Sequence, residues 1–139
     1  MRKYNKEQKA YLDTKNVLEI LEAKERALEE EFVRNLGVIN EDGSIPTRTW
    51  TIDNDEIADK AIEDFGKIEE ESGLWAEILK AKEAHKKAEE ALVQYAISLV
   101  PFKKERETLK KAATIYKYRM EILENVLRLD ASTVKMIVR

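Results

Sequence analysis

LWAEILKAKEAHKKAEEALVQYAISL, residues 74–99, decides the fold class. Leu74, Ile78, Ala81, His85, Ala88, Leu92, Tyr95 and Leu99 follow one another at alternating spacings of four and three. On an α-helix that spacing gathers them into one narrow stripe, the seam of a coiled coil or slim bundle. All are apolar or aromatic except His85, the only histidine of the chain.

A matching stripe lies beyond Pro101: Phe102, Arg106, Leu109, Ala113, Tyr116, Met120, Leu123 and Leu127. Proline stops one helix and suits the first turn of the next. The connection is short enough to force a reversal, so 74–99 and 101–129 are predicted to form an antiparallel helical hairpin. Counting turns back from Pro101 puts His85 opposite Tyr116, which makes Tyr116 its expected hydrogen-bond partner. Residues 130–139 form a tail, in which Val134, Met136 and Val138 suit a short strand.

Upstream, Asn5 can cap a helix over about 5–36, and Gly37 can end it in the left-handed conformation. Tyr4, Tyr11, Leu18, Leu21, Leu28 and Phe32 form its seam, wetted by Glu7, Thr14 and Glu25. Leu12, Val17 and Ile20 widen the apolar face, as in a helix with two neighbours. Asp53 followed by Glu56 resembles a capping box opening a helix over 54–71. Ser72-Gly73 predicts a kink or break, although the stripe Ala61, Phe65, Ile68, Ser72, Trp75, Leu79 runs through it in register. Between the first two helices, 37–52 carries turn chemistry at Asp42-Gly43 and an alternation over Thr47–Ile52. It is expected to be a loop or small hairpin with Trp50 as its anchor. The fold expected is all-α: one elongated domain over 1–139, a helical hairpin or three-to-four-helix bundle with a small β-like insertion at 37–52.

Composition agrees with long helices: 38% of the residues are charged and 43% apolar, with 4 glycines and 2 prolines. There is no cysteine, so disulfides and thiolate chemistry are excluded. No apolar run follows the basic start and no 18-residue apolar stretch occurs, which predicts a soluble, cytoplasmic protein without a membrane partner.

The net charge of -3 is unevenly spread. Residues 41–72 carry 11 acidic side chains against 3 basic, a balance of -8, and 101–139 carry 10 basic against 5 acidic, a balance of +5. A chain of this kind can pair its own segments, pair with a second copy, or present two fields to different partners. Self-pairing is the favoured reading of the three. The acidic face comprises Asp55, Glu56, Asp59, Glu63, Asp64 and Glu70, and is a candidate mimic of a phosphate backbone. The basic face comprises Lys103, Lys104, Lys110, Lys111, Lys117 and Arg119, and is a candidate nucleic-acid surface.

Catalytic signatures are absent. One histidine with Glu89 a turn away cannot make a metal site that needs three or four ligands, and the carboxylates lack calcium-loop spacing. There is no phosphate loop, nucleophile elbow or dinucleotide fingerprint. The expectation is therefore a protein that is not an enzyme, holds no cofactor or metal, and takes no small-molecule substrate. It would act through helical surfaces on protein partners, chiefly copies of itself. A nucleic-acid-related role is the alternative, either binding through the basic face or inhibiting a nucleic-acid-binding partner through the acidic one. Glu25 and Arg106, charged residues on seam positions, are where association would be felt.

Overall fold

A computed structural model describes residues 3–132. The expected strand at Val134, Met136 and Val138 lies outside the described residues. Among those described there are five α-helices and no strand: α1 (Lys6–Leu36), α2 (Asp55–Ser72), α3 (Leu74–Ser98), α4 (Lys103–Ala112) and α5 (Tyr116–Leu127). The protein is a helical bundle, divided by its contacts into two compact units. One joins the chain up to Asn16 with the chain from Lys82, and the other is Val17–Ala81.

In the first unit Ala88 and Leu92 of the expected seam of α3 are buried, but Tyr95 and Leu99 are only half-buried, and the core extends to Val93, Ala96 and Ile97 beside the seam. After Pro101 the chain reverses into α4, whose Leu109 packs on that core. The helix expected over 101–129 does not continue. It breaks at Ala113–Ile115, where Ile115 is extended at φ -103° and ψ 122°. The Thr114 hydroxyl donates to the Lys111 carbonyl at 2.7 Å, a local bond that competes with the helical ladder. Beyond the break Met120, Leu123 and Leu127 of the expected stripe still pack on the core, joined by buried Val126, while Tyr116 beside the break is 78% exposed and Phe102, which caps α4, is 65% exposed. Arg119, near the start of α5, reaches Glu89 and Glu90, whereas Asn125 and Leu129 line one groove with Ala96 and Leu99. Thus α5 runs in the same direction as α3, and α4 runs between them in the opposite one.

The first turns of α1 complete this unit. Asn5 accepts from the Gln8 N–H at 2.8 Å and Gln8 Oε1 accepts from the Asn5 N–H at 2.8 Å, a reciprocal capping box. Gln8 is fully buried, and its Nε2 donates to the carbonyls of Val126 at 2.8 Å and Leu129 at 2.9 Å. The Val126 carbonyl also accepts from the Leu129 N–H at 3.3 Å, and Leu129 lies just past the end of α5, so one side chain closes the start of α1 and ties down the end of α5.

The second unit is a two-layer hairpin of α1 against α2 and the start of α3. Phe32 and Phe65 rings meet at 5.6 Å, and Val33 packs with Ile52, Ala58 and Ala61. The cap of α2 falls one residue later than Asp53: Asn54 accepts from the Ile57 N–H. Gly73 takes φ +75° and separates α2 from α3, so the break at Ser72-Gly73 is present. It also re-aims the stripe. Leu74, Ile78 and Ala81 are buried, whereas Ile68, Trp75 and Leu79, expected to continue the seam, are exposed. Val17 and Ile20 are exposed as well, because a hairpin has no third layer to cover them.

The connection between α1 and α2 corrects two expectations. Thr47–Ile52 forms a single 3-10 turn at Thr49–Thr51, not a strand. The Thr51 hydroxyl donates to the Arg48 carbonyl at 2.8 Å and accepts the Arg48 N–H at 3.2 Å, closing the backbone on itself. Trp50 is 72% exposed, and the residues that anchor the loop are Thr49 and Ile52, both buried.

Candidate functional site

The residues singled out by charge occupy two separate surfaces, one in each unit. On α2, Asp55, Glu56, Asp59, Glu63 and Glu70 are exposed and Asp64 is half-buried. Glu56, Asp59, Glu63 and Glu70 recur at spacings of three, four and seven, which places them along one side of the helix. Among the described residues Glu63 alone of these acids forms an ion pair, with Lys67 at 3.6 Å, the weak surface kind. Beside them Leu36, Ile57 and Ala61 form a groove of about 330 Å³, edged by Glu56, Lys60 and Asp64.

The basic surface is smaller than its sequence suggested. Lys103, Lys104, Lys110 and Lys111 are exposed on α4, and Lys117 is exposed on α5. The break at 113–115 lies between them, so the seven-residue row Lys103, Lys110, Lys117 does not share one helix face. Arg119 is half-buried and turned into ion pairs. Its Nε donates to Glu89 at 2.7 Å, its Nη2 to Glu90 at 2.8 Å, and its Nη1 to the Ala113 carbonyl at 3.3 Å. The guanidinium thereby holds the turn that ends α4. These bonds to Glu89 and Glu90 raise the pKa of Arg119 further. Its bond to Glu90, helped by Gln94, holds that carboxylate below the usual range. None of the five lysines is ion-paired among the described residues.

His85 does not meet Tyr116. Its Nδ1 lies 3.0 Å from the Thr14 hydroxyl, and its ring stacks at a tilt on Tyr11 with centroids 4.9 Å apart. Thr14 also donates to backbone within α1, which makes the histidine a polar pin in the α1–α3 seam. The other seam charges are held inside the chain. Arg106 donates to the carbonyls of Val100 and Pro101, and Glu25 lies beside Glu69.

Glu69 is the most perturbed group. Burial in the hairpin, a shared hydrogen bond with Glu25, and the charges of Glu25 and Glu29 push its pKa up to about 7. Glu29 is occupied by the loop, pairing with Arg48 at 2.9 Å and accepting from the Thr49 hydroxyl at 3.3 Å. Among the described residues no group of three or more histidine, aspartate and glutamate side chains could hold a metal ion.

The loop itself is well tied. Asn40 donates to the Thr51 carbonyl at 3.1 Å and to Ser44 Oγ at 3.2 Å, and accepts from the Asp53 N–H at 3.1 Å. Asp53 in turn accepts from the Glu41 N–H at 2.7 Å. From this pinned frame Ile39, Ile45 and Trp50 project into solvent. Sequence reading missed Gln8, Asn40 and the Glu25–Glu69 pair. Only the first was signalled, by the Asn5-x-x-Gln8 capping pattern.

The chain matches no known protein family, and neither a curated protein nor a solved structure is significantly similar to it. Among the described residues no helix is long and apolar enough to cross a membrane.

Proposed function

We propose that this protein is a non-enzymatic assembly protein that associates with copies of itself through helical surfaces of Val17–Ala81. The observation that carries this reading is the uncovered apolar surface of the two-layer hairpin. Val17, Ile20, Ile62, Ile68, Trp75 and Leu79 are between 40% and 59% exposed there. Soluble monomers rarely leave contiguous apolar patches beyond a few hundred Å² open, and larger ones mark interfaces. The loop adds exposed Ile39, Ile45 and Trp50 on a frame whose backbone is already ordered. A pre-ordered surface loses less entropy on association, and tryptophan and tyrosine are the side chains enriched at such contacts.

A nucleic-acid role has less support. Arg119 is committed to Glu89 and Glu90, and the remaining lysines are divided between two helices. Light scattering across a concentration series tests the reading. Mass should rise above that of one chain as concentration increases, and a strict monomer at high concentration would overturn it.

A further inference from the structure

Resting on that reading of self-association, the geometry points to a head-to-tail contact. We infer that the groove lined by Leu36, Ile57 and Ala61 receives the Lys110–Tyr118 turn of a second copy. Three observations on different elements converge on that occupant.

The groove is apolar within and acidic at its edge. Leu36 and Ile57 stand exposed at its walls, Glu56 and Asp64 border it, and Asp55, Asp59 and Glu63 extend the same field along α2. Lys60 is the only cation among its lining residues. A complementary ligand is therefore an apolar or aromatic side chain flanked by cations.

The turn joining α4 and α5 has that composition. Lys110–Tyr118 reads KKAATIYKY, with three lysines and no carboxylate. Ile115 is 51% exposed, Tyr116 78% and Tyr118 46%, so the bases surround an unburied aromatic knob. The turn is already formed, because Arg119 holds the Ala113 carbonyl and the Thr114 hydroxyl holds that of Lys111.

Each field keeps side chains outside any ion pair among the described residues, Glu56 and Asp59 on α2 and Lys110, Lys111 and Lys117 at the turn. Opposite fields of this kind can pair between two chains. Because knob and groove are different surfaces, the contact is heterologous. Each added copy leaves one knob and one groove free, so growth continues into a chain or closes into a ring.

Sedimentation velocity on the full chain provides the test, with circular dichroism confirming that each variant folds. Wild type should associate at low salt and weaken roughly tenfold or more when salt screens the exposed charges. Glu56→Lys/Asp59→Lys/Glu63→Lys and Lys110→Glu/Lys111→Glu/Lys117→Glu should each lose self-association. Mixed one to one, they should associate again and grow by alternation, because each knob of one variant then meets an oppositely charged groove of the other. Combining both sets in one chain swaps the fields and should restore growth. Tyr116→Ser removes a side chain with no core contact, so it should weaken association without lowering the melting temperature.

Wild-type association that neither charge-reversed set disturbs would overturn the head-to-tail contact and leave assembly standing. A wild type that remains monomeric at every salt concentration would remove both. A monomer that binds a short DNA duplex at low salt, and loses it with the lysine set, would assign the basic turn to nucleic acid and overturn the inference.

Discussion

Glu69 sits where a two-layer hairpin places a carboxylate against other carboxylates. Glu25 shares its hydrogen bond, Glu29 adds charge, and burial raises its pKa from the ordinary 4.5 to about 7. Folding therefore favours the protonated form. Between those two values the folded chain holds a proton that the unfolded chain has released, so stability falls as pH rises across that window and levels off above it. Glu69→Gln keeps a donor for Glu25 and removes the charge. It should flatten this part of the pH dependence and stabilise the protein at pH 8 by on the order of 1 kcal/mol, a value reduced by solvent screening. Thermal melts of both proteins at pH 5 and pH 8 measure it, and an unchanged slope in the variant would refute the assignment. Glu29 is already engaged by Arg48 and Thr49, so Glu29→Gln should have a smaller effect on that slope.

Among the elements, the end of α5 depends on a residue from the far end of the chain. Gln8 closes the capping box of α1 and donates to the carbonyls of Val126 and Leu129. Gln8→Ala takes that donor from both, leaves Val126 only its bond from the Leu129 N–H, and opens a cavity, and should cost about 2–4 kcal/mol in urea unfolding. Gln8→Met restores the volume without the donor and should recover part of the loss. A Gln8→Ala protein within about 0.5 kcal/mol of wild type would show that water satisfies both carbonyls. The seam of α3 was legible as far as Leu92 because helical period picks one face, but the buried Val93, Ala96 and Ile97 beside it depend on the neighbours that pack there. The break in 101–129 was not legible, since Ala113-Thr114-Ile115 carries neither glycine nor proline and the interruption is held by Arg119 from outside it. The same gap explains His85. Its position on the seam was readable, but its partner Thr14 belongs to α1, whose register against α3 is a tertiary property. In the loop, period-two alternation competed with the threonine hydroxyls, and the short-range bonds formed instead.

For the whole molecule, both tryptophans belong to Val17–Ala81 and both are exposed, Trp50 at 72% and Trp75 at 54%. Neither contributes to a core, so their fluorescence reports the surface rather than folding. Dilute protein should emit at the red wavelengths of hydrated indole and change little on unfolding in urea. If the uncovered faces of the hairpin are what associate, emission should move to the blue as concentration rises, in step with the mass measured by scattering. Trp50→Phe and Trp75→Phe divide that signal between loop and helix. A blue shift lost with Trp75→Phe places the contact on the α3 face, and one lost with Trp50→Phe places it on the loop. Growing mass with no shift in either indole would put the association on surfaces away from both, and the exposed faces around Trp50 and Trp75 would no longer account for it.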